Sequence, residues 1–151
     1  MKIHIVTVGT PKLEYAKLGC EMYATRLERF HKIRFSRVRD SKKSGEVAMN
    51  EEGNAILEAV GRAYLFALDP NGRQLDTSAF AQKLETLGVE GQGELAFCIG
   101  GDEGLSSAVK TRANELWSLS ALTFPHDLAQ LVLLEALYRA STISAGVKYH
   151  K

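Results

Sequence analysis

Short apolar runs alternate with stretches of helical spacing along the whole chain. Ile3–Val8 reads as a strand stopped at Gly9. Glu14–Phe30 has the 3.6-residue period of a helix, with Leu18, Met22 and Leu27 marking its buried face. Ile33–Val38 alternates apolar and polar positions, as a half-exposed strand does. Glu46–Val60 returns to helical spacing through Val47, Ile56 and Leu57. Ala63–Leu68 is a continuous apolar strand, and Asp69-Pro70-Asn71-Gly72 after it carries a strong turn signal.

The second half repeats this alternation. Thr77 or Ser78 is placed to cap a helix running to about Leu87. Glu94–Ile99 is a buried strand that ends in Gly100-Gly101. Ser106 or Ser107 caps a helix predicted to reach Leu116, Leu119–Thr123 is the fifth apolar run, and Pro125 opens a long helix to about Ser144. Strand–helix alternation of this kind predicts an α/β fold: a mostly parallel sheet with helices on both faces. No internal repeat or linker divides the chain, so residues 1–151 are expected to form one domain.

Composition fits this picture and narrows the function classes. Hydrophobic residues make up 45% and charged residues 25%, an ordinary balance for a soluble domain. The first apolar run is broken by His4 and Thr7 and is too short for a signal peptide. No stretch approaches the ~20 apolar residues of a membrane span. Cys20 and Cys98 lie far apart in apolar surroundings, as reduced packing residues of a cytoplasmic protein do. The net charge of +1 is uninformative, but its distribution is not. Between Arg26 and Lys43, eight basic residues face only Glu28 and Asp40. Such a segment is either a solvated, charged edge or a docking site for polyanion phosphates.

Ligands of open α/β sheets bind beyond the carboxyl ends of the strands. Three such ends stand out: Leu68–Gly72, Ile99–Gly104 and Leu119–His126. The glycines at 100, 101 and 104 allow close backbone approach. They match neither the dinucleotide fingerprint nor the P-loop, and Asp102 and Glu103 would repel a phosphate while tolerating a cation. Taken alone, the turn is equally a structural strand-to-helix connection. In Leu119–His126 small hydroxyl residues interleave with apolar ones, offering walls and backbone edges to a purine, or forming a buried strand before a capped helix. Glu135 and Arg139 are an i,i+4 pair of the kind that ordinarily forms a modest surface salt bridge. The terminal Lys148-Tyr149-His150-Lys151 can stack on a base and hold phosphates, or simply fray.

In order, these elements are Val8-Gly9-Thr10, Leu68-Asp69, Ile99-Gly100-Gly101-x-x-Gly104-Leu105, Leu119-Ser120-x-Leu122-Thr123-Phe124-Pro125-His126, Leu137-Tyr138-Arg139-Ala140 and Tyr149-His150. The set resembles the RlmH family, small SPOUT-class methyltransferases acting on N3 of a pseudouridine in large-subunit ribosomal RNA. The resemblance spans essentially the whole chain. It implies a parallel sheet whose C-terminal part is threaded into a trefoil knot, a feature ordinary connection rules never propose. It also implies a cytoplasmic homodimer with its site near the subunit interface, no metal and no membrane. The cofactor would be S-adenosylmethionine, leaving as S-adenosylhomocysteine, and the partner would be large-subunit ribosomal RNA or the whole ribosome.

Carried over residue by residue, the cofactor contacts are Leu68, Gly100 and the run Leu119, Ser120, Ala121, Leu122, Thr123 and Phe124. The base nitrogen must lose a proton, and His150 is a candidate acceptor because imidazole changes charge near neutrality. Arg139 would stabilise charge developing on the base carbonyls, and Tyr149 would stack on or orient the flipped base. One departure is Gln130, which stands where relatives carry an arginine. The competing readings are a SPOUT methyltransferase acting on transfer RNA, a non-catalytic ribosome-associated factor, and, more distantly, a nucleotide-binding module.

Overall fold

The computed structural model describes residues 1–150. Five strands form one parallel sheet: β1 (Lys2–Val8), β2 (Lys32–Val38), β3 (Tyr64–Gln74), β4 (Glu94–Ile99) and β5 (Glu115–Ser118), in the order β2-β1-β4-β3-β5. The connecting helices are α1 (Glu14–Leu27), α2 (Gly45–Val60), α3 (Thr77–Val89) and α4 (Ser107–Arg112), with α5 (His126–Ser144) closing the fold.

The two-residue period of the strands sorts their side chains onto two faces. Ile3 and Ile5 of β1, Phe66 of β3 and Leu95 and Phe97 of β4 pack under α1, α3 and α5. Val6, Leu65, Ala67, Ala96 and Cys98 point the other way, into a smaller core with Ile56, Val60 and Val109 of α2 and α4. The larger core holds an aromatic group in which Phe66 stacks on Phe97 at 4.7 Å and Phe80 on Trp117 at 4.3 Å. Both faces of the sheet are covered, which is why its central strands read as unbroken apolar runs. Cys20 and Cys98 are free and buried. No helix among the described residues is long and apolar enough to cross a membrane.

Several boundaries differ from the sequence pattern, each for a local reason. The Asp69–Gly72 turn is a bulge inside β3, where the register with β5 shifts between Leu68 and Arg73 and Asp69 accepts the Asn71 N–H at 2.7 Å. The bulge packs closely on its paired strand: a Cβ on Gly72 would stand 2.6 Å from the Leu116 carbonyl carbon of β5. The α3 cap is Asp76, whose carboxylate accepts the Ala79 N–H at 2.8 Å, rather than Thr77 or Ser78. Ser106 caps α4 as expected, but that helix stops at Arg112, and the fifth strand is Glu115–Ser118 instead of Leu119–Thr123. On α1, Leu27 is buried while Leu18 and Met22 are 58% and 41% exposed, so the apolar stripe turns away from its own core.

Candidate active site

A cavity of about 740 Å³ opens beyond the carboxyl ends of β3, β4 and β5. That volume lies within the usual range for a small-molecule site. Leu68 and Ile99 wall it from the sheet, Gly100–Ser107 bound one side, and Leu119, Ser120, Leu122, Thr123 and Phe124 form the other. Ala121 belongs to the same loop but is exposed and lies outside the wall.

The glycine side is a cradle. A Cβ on Gly100 would lie 2.8 Å from the Gly104 carbonyl carbon, so no other residue fits without moving backbone. Gly104, at φ +85°, turns the chain back so that its N–H donates to the Gly101 carbonyl at 3.0 Å. The facing loop keeps its shape through its serines: Ser118 Oγ donates to the Ser120 carbonyl at 2.9 Å, and Ser120 Oγ accepts the Leu122 N–H at 2.9 Å. The Ser118 proton is committed to the loop itself, whereas Ser120 acts there only as an acceptor. The loop's apolar side chains face the cavity, and Leu122 stays 74% exposed. A strand-like apolar run therefore became a loop with an uncovered leucine.

Charge gives the cavity a sign. Glu46, Asp69, Asp102 and Glu103 stand in its wall against Lys110. Burial pushes the Asp69 carboxyl up, but the Lys110 ammonium at 2.9 Å and the Asn71 N–H outweigh it and hold the group below its ordinary value. The remaining excess is negative, which suits a cationic ligand. At the start of α5, His126 lines the cavity and Asp127 turns to the start of α1. Burial raises the Asp127 carboxyl, yet the Leu13 and Lys12 N–H groups, donating at 2.7 and 2.8 Å, keep it low. This clamp ties the start of α1 to the start of α5.

A scan of family models matches residues 1–150 to the family described as "Predicted SPOUT methyltransferase". The chain belongs to the SPOUT methyltransferase family. It is 49% identical over 151 residues to a Deinococcus radiodurans protein named ribosomal RNA large subunit methyltransferase H, covering 100% of this chain and 99% of that one. A Streptococcus thermophilus protein of the same name is 42% identical over 159 residues, with both chains covered in full. Two solved structures share the fold. A probable methylase family protein from Haemophilus influenzae has TM-score 0.61 and 17% identity, covering 99% of this chain and 70% of that one. A probable methyltransferase from Bordetella pertussis has TM-score 0.58 and 15% identity, covering 93% and 95%.

In this SPOUT chain, the three residues singled out for chemistry stand together but outside the cavity. Arg139 donates to Glu135 Oε1 through Nε at 3.0 Å and Nη2 at 2.6 Å. Its guanidinium lies over the Tyr149 ring, and its Nη1 is 3.3 Å from His150 Nδ1. Tyr149 donates its hydroxyl to Glu135 at 3.2 Å and meets the Tyr23 hydroxyl at 3.4 Å. The Tyr23 bond, partial burial and the Glu135 charge all push the Tyr149 phenol up, so it stays protonated at neutral pH. Glu135, read from sequence as an ordinary salt-bridge partner, is the centre of this group. At ~1.5 Å per residue, Arg139 lies roughly 20 Å along α5 from His126 at the cavity.

Sequence reasoning missed the share of the wall that α2 supplies through Glu46, Met49 and Asn50. Nothing in their spacing signals it, because the meeting of α2 with the glycine turn is a tertiary event. Gln130 is fully buried, and neither its amide oxygen nor its nitrogen has a partner among the described residues. Part of the basic segment is engaged within the chain. Arg34 pairs with Glu94 at 2.6 Å, Arg37 donates to Thr7 at 2.7 Å, and Arg26 stacks on Tyr23 and Tyr138. Arg29, Lys32, Arg39 and Lys42 remain exposed and unpaired among the described residues, the last two on the loop that follows β2.

Proposed function

We propose that the protein is a cytoplasmic S-adenosylmethionine-dependent methyltransferase acting on N3 of a pseudouridine in large-subunit ribosomal RNA. The observation that carries this reading is the cavity: three strand ends, a glycine cradle and an apolar loop meet around a space of cofactor size, with an acidic rim. Such a site fits a purine between apolar walls and a cationic sulfonium near carboxylates. When bound, S-adenosylmethionine supplies an activated methyl group, so no metal is required. Leu68, Gly100, Leu119, Ser120, Leu122, Thr123 and Phe124 would hold the cofactor, with Ala121 keeping the loop's outer side. The knotted thread that the family resemblance implies is proposed to lie behind this loop.

The residues that handle the base are Arg139, Tyr149 and His150. The guanidinium only donates, so the Arg139 contact keeps a lone pair on His150 Nδ1. That nitrogen is the proposed acceptor for the proton leaving the base. Once engaged by substrate, Arg139 offers its charge to a base carbonyl, and the protonated Tyr149 hydroxyl orients the ring.

One chain holds the cofactor cavity and this group far apart along α5, so the complete site is proposed to form between two copies. The exposed stripe of Tyr15, Leu18 and Met22 on α1, at i, i+3 and i+7, is the apolar surface such a homodimer would cover. Mass mapping of large-subunit RNA from cells with and without the protein tests the function. The reading requires one pseudouridine to lose a methyl group; an unchanged map overturns it.

A further inference from the structure

One buried carboxyl group belongs neither to the cavity wall nor to the catalytic group. Glu52 of α2 is 7% exposed. Its Oε2 accepts the Ser41 N–H at 2.9 Å, while Oε1 has no partner and no contact with solvent. A buried acceptor left unmet is costly. This oxygen faces the cofactor turn: a Cβ on Gly101 would stand 3.1 Å from it. The next residue, Gly53, packs so closely on the same segment that a Cβ there would meet Ser106 Oγ at 2.3 Å. Glu51 accepts the Ser41 hydroxyl and pairs with Lys43 at 2.9 Å. One helix thus grips the basic Arg39–Lys43 loop with two adjacent carboxyl groups and backs the Gly100–Ser106 turn with the same surface.

Building on the methyltransferase reading, we propose that Glu52 is a positioning residue that couples RNA grip by the Arg39–Lys43 loop to closure of the Gly101–Glu103 turn on the cofactor. The unmet Oε1 takes a backbone N–H of that turn when cofactor presses against Gly100. Phosphates held by Arg39, Lys42 and Lys43 fix the Ser41 end of the same side chain. Each ligand then favours the arrangement that the other requires, and the coupling is reciprocal.

The test compares binding to large ribosomal subunits with and without saturating S-adenosylhomocysteine, which cannot turn over. Cofactor should tighten wild-type binding by about tenfold, within the usual range of coupling between sites. Glu52→Gln keeps shape but faces the turn with an amide N–H or loses the Ser41 bond, so the ratio should fall to about one. Ser41→Pro, which removes the donated N–H from a loop, should do the same if Glu52→Gln proves unstable. Glu51→Gln, which frees Lys43 and removes a carboxylate from the loop, should shift binding equally in both conditions and leave the ratio intact, which a merely structural role for α2 would not separate. A wild-type ratio of one, or a wild-type ratio retained in Glu52→Gln and Ser41→Pro, overturns the coupling alone. Absence of any calorimetric binding of S-adenosylmethionine to the wild type overturns the methyltransferase reading together with it.

Discussion

The guanidinium of Arg139 lies over the ring of Tyr149, 4.7 Å from its centroid, and both side chains end on the same oxygen, Glu135 Oε1. The aromatic ring and the carboxyl group hold the cation from two sides. Tyr149→Phe keeps the ring but removes the hydroxyl contacts with Glu135 and Tyr23. Turnover on ribosomal substrate should drop by about 10- to 100-fold, while S-adenosylmethionine affinity, measured by calorimetry, should stay at the wild-type value. A parallel loss of cofactor affinity would place Tyr149 in the cofactor site instead.

Leu122 separates binding from folding. It is 74% exposed, so Leu122→Ala should change unfolding free energy by less than about 0.5 kcal/mol. A leucine that becomes covered on binding is worth roughly 1.5–3 kcal/mol. Cofactor affinity should therefore weaken by about 10- to 100-fold in a calorimetric titration, with an unchanged denaturation curve.

The stripe on α1 predicts assembly. Leu18→Glu adds a charge to a surface that is already open in a single chain, so the monomer should remain folded by circular dichroism. Sedimentation should show a dimer for the wild type and a monomer for the variant. Turnover should fall with the dimer if the site spans two copies; full activity in a monomeric variant would show that one chain suffices.

His31 makes stability depend on pH. Burial, aided by the nearby N-terminal ammonium, lowers its pKa to about 4, and its Nε2 is 2.8 Å from Ser141 Oγ. The unfolded chain binds this proton near pH 6.5 and the folded chain only near pH 4. The stabilisation is fully present above about pH 6.5 and is lost as pH falls from there toward 4. His31→Gln keeps a hydrogen-bonding group but does not titrate, so thermal melts across that window should show a flatter pH dependence than the wild type.

Much of the site was legible because its parts carry chemistry that is local in sequence. Gly100 and Gly104 are glycines because a side chain at the first would strike backbone, and the second adopts a positive φ. Periodicity misread Leu119–Thr123 as a strand, because it assumes that apolar residues seek the core of their own chain. Leu122 instead walls a cavity, and the strand formed from Glu115–Ser118, whose Trp117 enters the aromatic core. Leu18 and Met22 misled in the same way. Both mark a face that the monomer leaves open.

By itself the sequence determined the alternation of five strands and five helices, the two-faced core and the residue types at the strand ends, because these follow from side-chain period and backbone sterics within short segments. Only the tertiary structure decided three further matters. Arg26, Arg34, Arg37 and Lys43 of the basic segment were drawn into separate contacts, with Arg29, Lys32, Arg39 and Lys42 left free among the described residues. Glu135, Arg139, Tyr149 and His150 were gathered outside the cavity wall, further along α5. Glu52 was set behind the glycine turn. The physical reason is common to all three: charged side chains settle on whichever partner the packed elements bring within reach, and that partner is distant in sequence.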